Sequence, residues 1–135
     1  MSLLKTIDGQ YLFAIKSNKS LSTLQKDIIG GVLEKIEPFN GVGILNMNKI
    51  ELEEEINVKS SMIDDMSIIG LVQSSTTDIV IVTSTRLKIT THQLKEIFKD
   101  RIDPELDEID YIAPNNLTSY LNELRGYKPI MGQLL

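Results

Sequence analysis

The fold class of this sequence is decided by one stretch, SIIGLVQSSTTDIVIVTS at residues 67–84. Two runs rich in β-branched residues, 67–73 and 78–84, flank the small polar residues 74–77. Such runs, separated by a short polar segment, are typical of a β-hairpin. Because the strands of a hairpin pair antiparallel, this stretch favours an antiparallel sheet over a doubly wound parallel one.

The residues before this hairpin predict a strand, a helix and a further hairpin. The apolar run at 11–15 predicts a buried first strand. A capping-box match at its start and apolar residues at spacings of three and four predict a helix over 22–36, which Pro38 ends. Residues 41–45 and the alternating apolar and acidic residues 49–58 predict the two strands of that further hairpin.

Short helices and one strand complete the predicted elements. Ser60 or Ser61 is expected to cap a helical turn through Asp65, and the capping box that begins at Thr90 predicts a helix to about residue 99. A strand over 108–113 and a last helix introduced by Pro114 follow. That helix carries Leu117, Tyr120, Leu121 and Leu124, with Gly126 as its stop.

This order of elements predicts the α+β class. The sheet is expected to be mostly antiparallel, with the helices packed on one face. An enlarged ferredoxin-like core is the leading architecture, and a profilin- or roadblock-like layer is the alternative. Residues 1–126 are expected to form one domain. The apolar tail, residues 127–135, is expected to dock on that domain or on a neighbouring subunit.

Composition narrows the classes of function. The 135 residues include no cysteine and one histidine, which excludes a disulfide scaffold, a thiolate metal site and a cysteine nucleophile. The formal net charge of −5 and the presence of only three arginines argue against nucleic acid as a partner. No apolar run is long enough for a signal peptide or a membrane span, so a cytoplasmic protein without a membrane partner is expected.

The best candidate site lies just before the predicted helix at residue 90. Arg86 and Lys88 precede the helix N-terminus, where unpaired backbone N–H groups attract anions. Thr90 and Thr91 add hydroxyl donors and His92 adds a group that titrates near neutral pH. These five residues are the predicted anion-binding site, and the alternative is a well-capped loop with solvated cations.

Acidic residues are the second candidate. Glu51, Glu53, Glu54 and Glu55, together with Asp64 and Asp65, carry the oxygen ligands that Mg²⁺ and Ca²⁺ prefer. On alternating strand positions, however, neighbouring carboxylates lie too far apart to converge on one ion. Protection of an exposed strand edge is the simpler interpretation, so neither a metal site nor a cofactor is predicted.

The main functional prediction is therefore a small, homo-oligomeric, non-enzymatic module. It would bind an anionic small molecule or a protein partner, including a second copy of itself. One alternative is a metal-dependent nuclease or phosphohydrolase that uses Asp64, Asp65 or Asp78. The other alternative is a structural subunit of a larger assembly.

Overall fold

The architecture is a mixed sheet with three helices. The computed structural model describes residues 2–18, 23–29, 40–73 and 79–124. Within them the strands are β1 (Ser2–Lys5), β2 (Tyr11–Asn18), β3 (Thr23–Asp27), β4 (Ile63–Gln73), β5 (Ile79–Leu87) and β6 (Glu108–Ile112). The helices are α1 (Gly41–Ile56), α2 (Thr91–Phe98) and α3 (Leu117–Glu123). The predicted α+β class is thereby confirmed.

The sheet is mostly antiparallel. Its strand order is β3-β2-β1-β5-β4, and β6 pairs with β2. Only the β1–β5 pair is parallel among the described strands, with Ser2 opposite Thr83. The hairpin that decided the fold class is present as β4 and β5, which pair from Ile63 opposite Leu87 to Gln73 opposite Ile79. Both strands are longer than predicted.

Two apolar clusters cover the two faces of the sheet. Because neighbouring strand residues point to opposite faces, Leu3 and Leu4 enter different clusters. Leu3 packs with residues of α3, including Leu121, whereas Leu4 packs with Leu52 of α1 and Leu94 of α2. The helices, expected on one face, therefore lie on both.

The predicted helix over 22–36 is wrong where the structure describes it. Residues 23–27 form β3, which pairs antiparallel with β2 from Thr23 opposite Asn18 to Asp27 opposite Ala14. Ile28 and Ile29 are both buried but belong to opposite clusters, as expected for extended backbone and not for one helical stripe. The rest of that prediction, residues 30–36 with Pro38, lies outside the described residues.

The predicted hairpin over 41–58 is also wrong, because Gly41–Ile56 form α1. Asn40 is the N-cap and its side chain accepts a hydrogen bond from the Gly43 N–H at 2.9 Å. The buried positions recur at helical spacing; they are Gly43, Ile44, Asn48, Leu52, Glu55 and Ile56. Since an asparagine and a glutamate lie on this buried stripe, its helical period is hidden in the sequence.

The remaining predicted elements lie close to their predicted positions, but β1 (Ser2–Lys5) was not predicted, so the strand expected to be the first is β2. The turn of 3-10 helix is Ser60–Met62, although Asp64 and Asp65 belong to β4. The capping box of α2 is present, and β6 and α3 lie where they were expected. Gly126 and the tail 127–135 lie outside the described residues. No helix in the described ranges is long and apolar enough to cross a bilayer.

Candidate functional site

Helix α1 carries three glutamates on one side near its C-terminal end. Glu51, Glu54 and Glu55 stand at positions i, i+3 and i+4, which are neighbours on a helix surface. Glu54 is exposed, Glu51 is partly buried and Glu55 is only 3% exposed. Glu53 points away from them and binds Lys59, with 2.8 Å between Oε1 and Nζ. The Glu53–Lys59 ion pair and the three neighbouring glutamates therefore lie on different sides of α1.

The C-terminal end of α1 is anchored to α2. Asn57 adopts the left-handed conformation, with φ 61°, and its backbone N–H donates to the carbonyl oxygens of Glu53 and Leu52. Its side-chain Nδ2 donates to the Ile97 carbonyl of α2 at 2.8 Å. The cap thus holds the three glutamates at a defined distance from the segment that follows α2.

That segment brings two further carboxylates to α1. The Asp103 N–H donates to the Glu54 carbonyl at 2.9 Å, and Asp103 Oδ1 accepts the Glu105 N–H at 2.9 Å. The Arg101 guanidinium braces the segment by donating to the carbonyl oxygens of its two ends, Phe98 at 3.2 Å and Leu106 at 2.7 Å. We refer to Glu51, Glu54, Asp103 and Glu105 as the acidic cluster.

Like charges in the acidic cluster act on Glu51. Burial raises the pKa of the Glu51 carboxyl, and the negative charges of Glu54, Asp103 and Glu105 raise it further. Lys16 lies beside the cluster, with Nζ 3.3 Å from Glu105 Oε1. Because both members of that pair are partly exposed, it offsets little of the repulsion. The cluster is therefore a region where a cation would relieve unfavourable electrostatics.

The helix changes the assessment of these residues as metal ligands. We expected neighbouring carboxylates to lie too far apart to share an ion because we placed them on a strand. That expectation is wrong, since Glu51 and Glu54 lie one helical turn apart. Across the described residues, no three acidic or histidine side chains converge as a ready-made metal site. Magnesium, however, binds through one or two carboxylates plus waters and substrate phosphates. The oxygen donors of the acidic cluster fit that pattern.

The five predicted anion-binding residues lie where β5 connects to α2, at the opposite end of α2 from the acidic cluster. Thr90 caps α2, and the Thr91 N–H and Oγ1 both donate to Asp8 Oδ1, at 3.0 and 3.1 Å. Arg86 Nη2 lies 3.6 Å from Asp64 Oδ2, and both side chains are exposed. We call this region, with the exposed residues Lys88 and His92, the α2 corner.

A carboxylate of the chain itself occupies the α2 corner. Hydrogen bonding by Thr6 lowers the pKa of Asp8, with further contributions from Thr91. An open depression of about 430 Å³ beside it is lined by Lys5, Thr6, Ile7, Asp8, Gly9, Asp64, Arg86 and Leu87. Asp8 was not predicted to belong to this region, because it is far from α2 in sequence. Anion binding at the corner stays a prediction, with Arg86 as the member of the five that lines the depression.

Solved structures share this fold. A Nudix hydrolase from Nitrosomonas europaea superposes with a TM-score of 0.59 and 13% identity, over 98% of this chain and 81% of that one. The Ap4A hydrolase from C. elegans gives a TM-score of 0.55 and 11% identity, over 98% and 89%. The DR0079 protein from Deinococcus radiodurans gives 0.52 and 16%, over 90% and 68%. No protein-family model and no curated protein matches the sequence.

These comparisons correct two earlier expectations. The architecture within the α+β class is that of Nudix structures, in place of the ferredoxin-like or profilin-like layers first considered. The main functional prediction, a non-enzymatic binding module, is contradicted, because two of the three structures are hydrolases by name. The phosphohydrolase alternative is the better supported one. Of the carboxylates predicted to serve it, Asp64 and Asp65 lie on β4 and Asp78 lies outside the described residues.

Proposed function

We propose that this protein is a divalent-cation-dependent phosphohydrolase that cleaves a phosphoanhydride bond of a nucleotide derivative. The observation that carries the proposal is the acidic cluster, which gathers carboxylates from α1 and from the segment after α2. The similarity in fold to structures named Nudix hydrolase and Ap4A hydrolase supports the substrate class. At 11–16% identity it supports the fold and leaves the chemistry to be tested.

We assign different roles to the exposed and the partly buried residues of the acidic cluster. Glu54 and Glu105 are exposed, so their carboxylate oxygens are accessible to a cation such as Mg²⁺. When bound, that cation neutralises phosphate charge and lowers the pKa of a water molecule. The raised pKa of Glu51 makes its carboxylate a stronger base than an ordinary glutamate, and we assign to it the proton of the attacking water.

The proposed substrate follows from charge. The protein is acidic overall, with a net charge of −5, so a polyanionic substrate approaches the acidic cluster only with cations bound. A divalent cation held by Glu54 and Glu105 would offset the negative charge of the substrate's phosphate groups as well as that of the acidic cluster. A diphosphate or longer chain is therefore favoured over a monophosphate ester, because it offers more oxygen donors to a cation.

Hydrolysis assays on the full chain test the proposal. Nucleoside diphosphate derivatives and the dinucleoside polyphosphate Ap4A are incubated with Mg²⁺ or Mn²⁺, and released products are separated by chromatography. We expect turnover of at least one of them that chelation abolishes. Glu51→Gln is expected to lower kcat by about 100-fold or more, since a general base contributes roughly 10²–10⁴-fold.

Glu53→Gln is the matched control, because Glu53 lies on the same helix but binds Lys59. Its kcat is expected to stay within about twofold of the wild type, as for an exposed ion pair of small net effect. Absence of turnover with every substrate and both cations would refute the proposal. So would full activity of Glu51→Gln.

A further inference from the structure

A chain of buried polar side chains links α1 to the sheet. Asn48 Nδ2 donates to Thr83 Oγ1 at 3.0 Å, and the Thr83 hydroxyl donates to Ser2 Oγ at 2.9 Å. Ser2 Oγ lies 2.8 Å from Thr85 Oγ1. These four residues are at most 3% exposed. We refer to them as the buried polar chain, which lies outside the acidic cluster.

The buried polar chain differs in kind from the apolar packing around it. Leu52 and Ile56 of α1 pack against the same face of the sheet, but apolar contact has no direction and tolerates small rotations. A hydrogen bond weakens steeply when its angle or length departs from the optimum. A buried amide that loses its partner is also costly, because no water replaces it. Asn48 therefore allows one rotation of α1 where apolar residues alone would allow several.

We propose that Asn48 is a positioning residue, which fixes the rotation of α1 about its axis through Thr83 and thereby places Glu51 and Glu54. This inference rests on the proposed function for its effect on catalysis. Asn48 and Glu51 are three residues apart, so they lie one turn apart on neighbouring sides of the helix. Asn48 faces the sheet, while Glu51 lies at the edge of that buried face.

Small rotations are enough to matter. A side-chain tip lies roughly 5–6 Å from the helix axis, so a rotation of about 10° moves a carboxylate by about 1 Å. A displacement of about 1 Å in a catalytic group lowers rates by up to roughly 100-fold. The strand end of the chain is well placed to resist rotation, because Ser2 and Thr83 belong to the parallel β1–β5 pair inside the sheet.

The decisive experiment compares Asn48→Leu with Thr85→Val. Asn48→Leu removes the bond from α1 to Thr83 of the sheet, together with the longer contact of Asn48 Nδ2 with Met66 Sδ at 3.7 Å, while Thr83 keeps its contact with Ser2. Thr85→Val removes one buried hydroxyl of the same chain that is bonded to Ser2. Residual dipolar couplings of backbone amides report the orientation of α1 in each variant, and electron paramagnetic resonance reports its Mn²⁺ affinity.

We expect Asn48→Leu to change the couplings of α1 and to weaken Mn²⁺ binding about tenfold, with kcat falling and KM nearly constant. Thr85→Val should leave all of these within twofold of the wild type. Unchanged α1 couplings in Asn48→Leu would overturn the inference, and so would changed couplings with unchanged Mn²⁺ affinity. If Asn48→Leu fails to fold, Thr83→Val cuts the same bond from the sheet side and carries the same expectations.

The wild type separates this inference from the proposed function. A wild-type protein that binds no Mn²⁺ and hydrolyses no phosphoanhydride refutes the proposed function. In that case a change of the α1 couplings in Asn48→Leu, absent from Thr85→Val, still supports the role of Asn48 in fixing the helix.

Discussion

The pKa of a carboxyl group is shifted in opposite directions in the α2 corner and in the acidic cluster. Asp8 accepts two hydrogen bonds from Thr91, and its pKa is lowered by Thr6 and then by Thr91. Glu51 is partly buried among like charges, and its pKa is raised. In the α2 corner, hydrogen bonds within the chain stabilise the negative charge of Asp8. In the acidic cluster, the negative charges repel one another, and a bound cation would stabilise them.

The difference shows which region has capacity to bind. A capped helix end whose donors are taken by Asp8 is complete without a ligand. A cluster of carboxylates that raise one another's pKa is stabilised by a cation, and such perturbed groups concentrate at functional sites. Both regions carry candidate residues in the sequence. Only the contacts in the structure distinguish the carboxylate that is hydrogen-bonded within the chain from the carboxylates that repel one another.

The largest expected effect is on hydrolysis. Glu54→Gln, in the acidic cluster, should lower cation-dependent kcat by about 100-fold, because a ligand and a negative charge are lost together. Asp64→Asn, beside the α2 corner, should change kcat by less than about twofold, because its ion pair with Arg86 is exposed. Steady-state kinetics on the substrate that gives the highest turnover decide between them. Equal losses in the two variants would erase the distinction between the regions.

The next effect is on stability, with opposite signs. Asp8→Asn should lower the free energy of unfolding by about 0.5–1 kcal/mol, since a carboxylate at the N-terminus of α2 is lost. Glu51→Gln should raise it by roughly 0.2–0.5 kcal/mol, because like-charge repulsion with Glu54 is relieved. Urea unfolding at neutral pH without divalent cations measures both. A Glu51→Gln variant less stable than the wild type would contradict the account of the cluster.

The pH dependence sharpens the same contrast. Asp8 has a folded pKa below its ordinary 3.8, so its stabilisation is present above that pH and is lost as the pH falls through the folded pKa. Glu51 has a folded pKa above its ordinary 4.5, so the fold favours the neutral form and loses stability as the pH rises through the folded pKa.

Unfolding curves of both variants across acidic pH provide the measurement. The stability deficit of Asp8→Asn should shrink as the pH falls below about 3.8, whereas the gain of Glu51→Gln should shrink as the pH falls through the raised folded pKa and be absent below about 4.5. Parallel behaviour of the two variants would show that their carboxyls share one environment.

The smallest expected effect concerns anion binding at the α2 corner. Removing the competing carboxylate in Asp8→Asn should let inorganic phosphate reach the Thr91 donors beside Arg86. At a phosphate concentration equal to Kd the gain is roughly 0.4 kcal/mol, which raises Tm by about 1–2 °C. Differential scanning fluorimetry should show no such shift in Asp8→Asn combined with Arg86→Ala. A shift that survives the double substitution would place the anion elsewhere.

Local signals predicted part of the fold well. The polar break between two β-branched runs predicted the hairpin, and the capping box from Thr90 to Gln93 predicted α2. Over residues 23–27 and 41–58 those signals misled. A capping-box match overlapped a strand, and alternating glutamates belonged to a helix whose buried side includes Asn48 and Glu55. Pairing with β2 overrode the local helix signal in β3, and burial of polar side chains hid the helical pattern of α1.

The candidate site was harder to predict than the fold. Its acidic residues were singled out, but the strand assignment separated Glu51 from Glu54 and led to their dismissal as ligands. Asp103 and Glu105 reach α1 through a backbone hydrogen bond to Glu54 that no local pattern encodes. Likewise, the contact of Asp8 with Thr91 spans 83 residues. Correct assignment of one helix would have recovered the face that α1 contributes.

The parallel pairing of β1 with β5 also sets an order of events during folding. β1 can pair with β2 through the turn at residues 6–10, but its other edge must wait for β5. The Thr83–Ser2 bond closes a separation of 81 residues, so the buried polar chain cannot form before residue 83 has left the ribosome. Until then α1 lacks the Thr83 hydroxyl that accepts from Asn48, so the rotation of α1 is fixed later than the helix itself can form.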